Sequence, residues 1–144
     1  MPKGTETMSH YRYRHIVTFD ETNLVGNVYF AHYLHWQGHC RERFLADHAP
    51  GVLKDVAHGS LALVTVSCAM TYHAECYALD EIDVAMSLRA ASGNRIVMDF
   101  DFRRSGQLTA QGTQTVACMR RDDHGTTPTE IPDELARALR AFSD

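Results

Sequence analysis

Asn23, Gly26, Tyr29 and Phe30 stand in one stretch, Val17 to Trp36, that reads as a strand end, a polar turn and a helix start. A helix start presents backbone N–H groups that have no intrahelical partner. Here these are the amides of Tyr29 and Phe30. Such donors carry fixed partial charge and suit the oxyanion that forms when a carbonyl is attacked. Gly26 permits a tight entry and close approach of a substrate. The Asn23 side chain can donate to a carbonyl oxygen or orient a water, but an amide is not a base. The same residues also suit a plain turn and helix cap, with Asn23 bonding its own backbone.

Four further groups bear on this chemistry. Glu21 is the natural base of the segment, since in an extended loop it points the same way as Asn23; it equally suits a solvated loop carboxylate. Arg41 projects on the apolar side of the helix, where a charge needs a partner. It suits a fixed donor set for an oxygen or carboxylate, or an ion pair with Glu21, Asp99 or Asp101. It lies ~16 Å along the helix from Phe30, so it must bend back or serve a site across a dimer interface. His32, His35 and His39 share a face at a spacing that suits zinc, and suit a wet polar face as well. Cys40 falls on the apolar stripe without a base beside it and reads as a buried thiol. No metal and no cofactor is expected. The chain has no Gly-x-Ser-x-Gly, no P-loop and no GxGxxG.

The elements that must hold these residues follow from periodicity. Tyr11 to Phe19 reads as a strand. Tyr29 to Ala46 reads as a helix, with Tyr29, Tyr33, Trp36, Cys40 and Phe44 on one side. Val52 to His58 adds a short helical turn. Strands follow at Leu61–His73, Asp83–Ala91, Arg95–Arg103 and Leu108–Arg121, with turns at Ser92-Gly93-Asn94 and Ser105-Gly106. Thr127-Pro128 reads as loop, and Asp133–Phe142 as a terminal helix. One long helix against an antiparallel sheet is an α+β architecture.

Composition narrows the setting. The 144 residues suit a single domain over 11–144 behind a loose polar tail at 1–10. A formal charge of −4 argues against nucleic acid. Cys40, Cys68, Cys76 and Cys118 form no CxxC pair and suit reduced thiols in the cytoplasm. The run Val56–Ala74 lacks Lys, Arg, Asp and Glu, yet its Ser, Thr and His residues suit a strand rather than a membrane span.

Order and motif together resemble the hotdog fold, in which a five-stranded antiparallel sheet wraps a long central helix, with a short C-terminal helix here. The segment Phe19-Asp20-Glu21-Thr22-Asn23-Leu24-Val25-Gly26-Asn27-Val28-Tyr29-Phe30-Ala31-His32-Tyr33 resembles the aromatic-x-D/E-T-D-x-x-G-x-V-Y-x-x-x-Y motif of 4-hydroxybenzoyl-CoA-type thioesterases. Thr71-Tyr72-His73-Ala74 followed by Asp80-Glu81-Ile82 resembles a second family segment. The family mostly carries an acid where Asn23 stands. The wording around Glu21–Phe30, with Trp36-Gln37-Gly38 and Cys40-Arg41-Glu42, is similar to the thioesterases that accompany iterative polyketide synthases in enediyne biosynthesis.

That resemblance implies hydrolysis of a β-ketoacyl or polyene thioester held by an acyl carrier protein domain. Asn23 and the Tyr29 and Phe30 amides would hold the carbonyl, with Arg41 assisting. The acyl chain would run along Val64, Val66, Met70, Met98 and Phe100, each of which also suits ordinary core. It implies a dimer or tetramer with sites between subunits. Arg103-Arg104 and Arg120-Arg121 would dock an acidic carrier, or simply face solvent. A general acyl-CoA thioesterase and a non-catalytic acyl- or carrier-binding module are the alternatives.

Overall fold

A computed structural model describes residues 10–143. The tail expected over 1–10 therefore lies, His10 apart, outside the described residues. In chain order the elements are β1 (Tyr11–Ile16), α1 (His32–His48), α2 (Pro50–His58), β2 (Leu61–Tyr72), β3 (Glu81–Ser92), β4 (Arg95–Arg104), β5 (Gln107–Asp122), β6 (Gly125–Pro128) and α3 (Asp133–Arg140). The sheet is antiparallel in the order β1-β3-β4-β5-β2. It packs on α1 through Trp36, Phe44, Ile82, Met86, Phe100 and Phe102, all essentially without exposure. This is the hotdog architecture.

Several boundaries differ from the sequence reading, and four of the differences have a clear local reason. β1 stops at Ile16 because Phe19–Glu21 coils into a 3₁₀ turn, with the Thr18 N–H donating to the Glu21 carboxylate. α1 begins at His32 rather than Tyr29. Residues 29–31 form a tighter entry in which the N–H groups of His32, Tyr33 and Leu34 each bond back three residues. α2 runs nine residues because Pro50 opens it and Glu134 of α3 caps it, accepting from the N–H groups of Gly51 and Val52. The loop expected at Thr127-Pro128 is the sixth strand. β5 outlasts β4, and β6 returns to pair with Met119–Asp122.

β2 is the outer strand beside β5, and its residues Val64–Ala69 are exposed. Its register slips between Thr65 and Ser67, so Val66 is the extra residue of a bulge.

Gln37 is fully buried on α1, and neither amide atom has a hydrogen-bond partner among the described residues. It fits over the sheet because Gly112 of β5 has no side chain there; a Cβ would strike the Gln37 Oε1 and crowd the Met70 thioether. An orphaned buried amide costs about 1–3 kcal/mol. Gln37→Leu is therefore expected to raise the melting temperature of the isolated chain by a few degrees, at about 2–4 °C per kcal/mol. Thermal unfolding by circular dichroism checks it, and a fall in Tm contradicts the assignment.

Candidate active site

A hairpin turn and the tight helix entry build one wall of the site. The Thr22↔Val28 bridge closes the turn. Within it the Asn23 N–H donates to the Asn27 carbonyl at 2.7 Å and the Gly26 N–H to the Asn23 carbonyl at 2.9 Å. Gly26 sits at φ +95°, in the left-handed region where a glycine is needed. The Asn23 side chain is exposed, and its Nδ2 makes one long bond, 3.3 Å, to the Asn27 Oδ1. Asn23 is thus a turn residue whose side-chain amide still has capacity to donate.

The two backbone amides divide. The Tyr29 N–H donates to the Glu21 carbonyl at 3.0 Å, so it is spent inside the protein and the expectation that it holds a substrate oxygen is corrected. The Phe30 N–H has no partner among the described residues. The peptide unit that carries this N–H is held through the Tyr29 carbonyl, which accepts from the His32 N–H at 3.0 Å, and the next unit is held by the Tyr72 hydroxyl donating to the Phe30 carbonyl at 3.0 Å.

Asn23 and Phe30 line a cleft of about 380 Å³ with Tyr33, Tyr72, His73 and Glu75. Tyr33 donates its hydroxyl to the Cys76 Sγ at 3.1 Å. Burial, reinforced by that thiol, pushes the phenol well above its ordinary value, so it stays protonated. His73 is bound to the Gln111 Oε1 at 3.2 Å.

Glu75 was not legible in the sequence. It lies in the gap of the second family segment, between Ala74 and Asp80, 52 positions from Asn23 by number, and no periodicity marks it. The fold brings it in because Asn27 bridges to Tyr77 and the Val28 N–H bonds to the Cys76 carbonyl. Its Oε1 accepts from the Asn27 Nδ2 at 3.0 Å. Arg104 clips the same loop, reaching the Glu75 carbonyl at 2.6 Å and the Asp80 carboxylate at 3.2 Å.

Glu21 is placed differently from either sequence expectation. It is buried, and its carboxylate accepts from Trp36 Nε1 at 2.8 Å, His15 Nε2 at 2.8 Å and the Thr18 N–H at 3.0 Å. Burial works to raise its pKa, but the Trp36, His15 and Thr18 hydrogen bonds outweigh it and hold the carboxyl at about 2. So acidic and enclosed a group is a poor base, and it is not solvated either. Glu21 ties β1 to α1 instead.

Arg41 lies apart from the cleft. It lines a hollow of about 340 Å³ with Leu45, Leu53, Val56 and Leu63, and donates to the Gln114 Oε1 at 3.1 Å. No acid pairs with it among the described residues. Glu21 bonds to His15, Asp99 to Arg89 and Asp101 to Arg103. Burial lowers its pKa from the ordinary guanidinium value, against the opposing charge of Glu42.

The expected acyl wall is scattered. Phe100 is wholly buried core, and Met98 borders only a void of about 10 Å³ beneath Arg41. Both are corrected to core. Met70 touches the core beside Gly112, whereas Val64 and Val66 lie exposed on the β2 edge. His32 and His35 place ring nitrogens 3.3 Å apart, while His39 turns to the Tyr13 hydroxyl on β1. Cys40 has no exposure, and burial pushes its thiol up to about 12. Arg103 and Arg104 are engaged by Asp101 and Asp80, and Arg120 contacts Thr129.

Comparison with known proteins supports the same reading. The thioesterase-like superfamily model matches residues 17–139. A crystal structure of the dynemicin thioesterase, solved in a study of polyene binding, is 60% identical; the match covers 94% of this chain and 98% of that one at a TM-score of 0.90. A 1,4-dihydroxy-2-naphthoyl-CoA thioesterase from Synechocystis shares the fold at 21% identity and TM-score 0.82, covering 91% of this chain and 96% of that one. A 4-hydroxybenzoyl-CoA thioesterase shares it at 14% identity and TM-score 0.81, covering 91% and 99%. No curated protein sequence matches the chain. Fold, motif and matched length agree that the chain belongs to the thioesterase-like superfamily and is a hotdog thioester hydrolase.

Proposed function

We propose that this hydrolase, acting as one domain over 11–144, releases a polyketide acyl chain, β-ketoacyl or polyene, from an acyl carrier protein domain of an iterative synthase of the enediyne type. The observation that carries the reading is the one cleft lined by both Asn23 and Phe30, the latter with an N–H that has no partner among the described residues. The likeness to the dynemicin thioesterase supplies the substrate class. The thioester oxygen is held by these two donors while water attacks the carbon. A β-keto group makes that carbon more electrophilic than in a saturated chain.

The working unit is a homodimer or homotetramer in the cytoplasm. No helix among the described residues is long and apolar enough to cross a membrane. Two surfaces support association. The β2 edge exposes Val64 and Val66 next to unpaired backbone groups. The loops beside the cleft expose Phe19, Leu24, Val25 and Leu79. In such an assembly Arg41 serves the neighbouring subunit's cleft. Arg120 and Arg121 are the cations offered to an acidic carrier. Sedimentation at the monomer mass, 16.2 kDa, contradicts the assembly.

Mass spectrometry of a carrier protein loaded with a β-ketoacyl chain tests the function. The expected result is a free acid, or the ketone left after loss of CO₂, with the carrier returned to its thiol form. Faster release from coenzyme A than from the carrier replaces this reading with a general acyl-CoA thioesterase.

A further inference from the structure

We propose that Glu75 is the general base of the hydrolysis, taking the place of the acid that the family motif puts at position 23. The inference rests on the cleft being the thioesterase site. Three observations carry it. Glu75 lines the same cleft as Asn23 and Phe30. Its Oε1 is fixed by the Asn27 amide at 3.0 Å, which leaves Oε2 without a partner among the described residues. Its backbone is fixed by Arg104 through the carbonyl, so the carboxylate is mounted on a clipped loop rather than a loose one.

The other nearby acids are committed. Glu21 lies buried under Trp36 and His15. Asp20 accepts from the Thr18 hydroxyl. Asp80 takes the Arg104 guanidinium and the Tyr77 N–H. Of these carboxylates, Glu75 alone lines the cleft.

The step balances without a cofactor. A water held between Glu75 and Asn23 gives its lone pair to the thioester carbon and its proton to the Glu75 carboxylate. The carbonyl electron pair moves onto oxygen, where the Phe30 N–H and the Asn23 amide stabilise it. Collapse of this adduct breaks the C–S bond, and the departing thiolate takes the proton back from Glu75. The products are an acid and a thiol, and Glu75 returns to a carboxylate. One water between base and carbon lies within the reach that general-base catalysis requires.

The charged and titratable groups facing Glu75 are His73, Tyr33 and Tyr72 in the cleft, Arg104 from β4 at its carbonyl, and Asp80 beyond that guanidinium. Tyr33 and Tyr72 keep their protons, so neither supplies an acid limb, and loss of that limb in Glu75→Gln is what assigns it to this carboxylate.

The test uses the full chain and a β-ketoacyl N-acetylcysteamine thioester. Wild-type turnover of this probe tests the thioesterase site itself; the ratio between variant and wild type tests the base. Glu75→Gln preserves the bond from Asn27 and is expected to leave Tm unchanged. It should lower kcat by about 10²–10⁴ and erase the acid limb of kcat/KM. Hydroxylamine, a nucleophile that needs no deprotonation by the enzyme, should restore acyl release as the hydroxamate. Asn27→Ala leaves the carboxylate in place and should cost roughly tenfold or less with the acid limb kept. Near wild-type kcat in Glu75→Gln overturns the proposal. So does a loss that hydroxylamine does not rescue, because Glu75 would then only position other groups.

Discussion

Asn23→Ala is expected to lower kcat by about 10²–10³ with little change in Tm, the usual cost of deleting one oxyanion donor, which is the role proposed for Asn23. The fold tolerates the change because the turn is closed by backbone bonds, Asn23 N–H to Asn27 and Gly26 N–H to Asn23, which alanine retains. The lost side-chain bond to Asn27 is long and exposed, so it contributes little stability. The effect should fall on kcat and kcat/KM together, because the amide is best engaged when charge develops on the carbonyl oxygen. Steady-state kinetics on the β-ketoacyl probe decide it. A rise in KM with kcat unchanged would assign Asn23 to ground-state binding instead.

The largest stability effect belongs to Glu21. Glu21→Ala orphans three donors at once: Trp36 Nε1, His15 Nε2 and the Thr18 N–H. Trp36 has no exposure, so water cannot replace the lost acceptor. Breaking such a network costs about 3–5 kcal/mol, or a fall in Tm of about 6–20 °C. The same group gives an acid dependence. The carboxyl is held at about 2 in the folded chain against an ordinary value of 4.5. The folded state therefore prefers the ionised form, and the stabilisation is complete above the ordinary value. As pH falls from about 5 toward 2 the unfolded chain takes up this proton first, and about 3 kcal/mol drains away. Urea unfolding across that range measures it. In Glu21→Gln this part of the pH dependence should vanish; an unchanged acid slope assigns it to other carboxylates.

These cases show where the sequence was informative. The motif from Phe19 to Tyr33 placed the turn, the glycine and the unpartnered Phe30 amide, because these depend on chain-local geometry. Arg41's lack of an acid partner, by contrast, appears only once Glu21, Asp99 and Asp101 have been given theirs in three dimensions. Glu21 is a loop acid by local pattern and becomes a buried anchor only because Trp36 and His15 arrive from other elements. Glu75 is an ordinary loop glutamate until the pairing of residues 27–28 with 76–77 carries it to Asn23. Val64 and Val66 alternate like one face of a strand, but the bulge at Val66 interrupts that phase. Tyr29 failed because a helix start does not reveal which amide a neighbouring carbonyl will claim.

The bare edge of β2 has a consequence for how the chain survives in a cell. From Leu61 to Tyr72 it carries no charged residue and no proline, and only the bulge blunts it. A dilute or newly made copy therefore exposes a template for strand addition, and β-rich, uncharged segments of this kind seed aggregates. Solubility and self-association become one property. Low expression, dilution or a lysine placed at Val64 would each change both together.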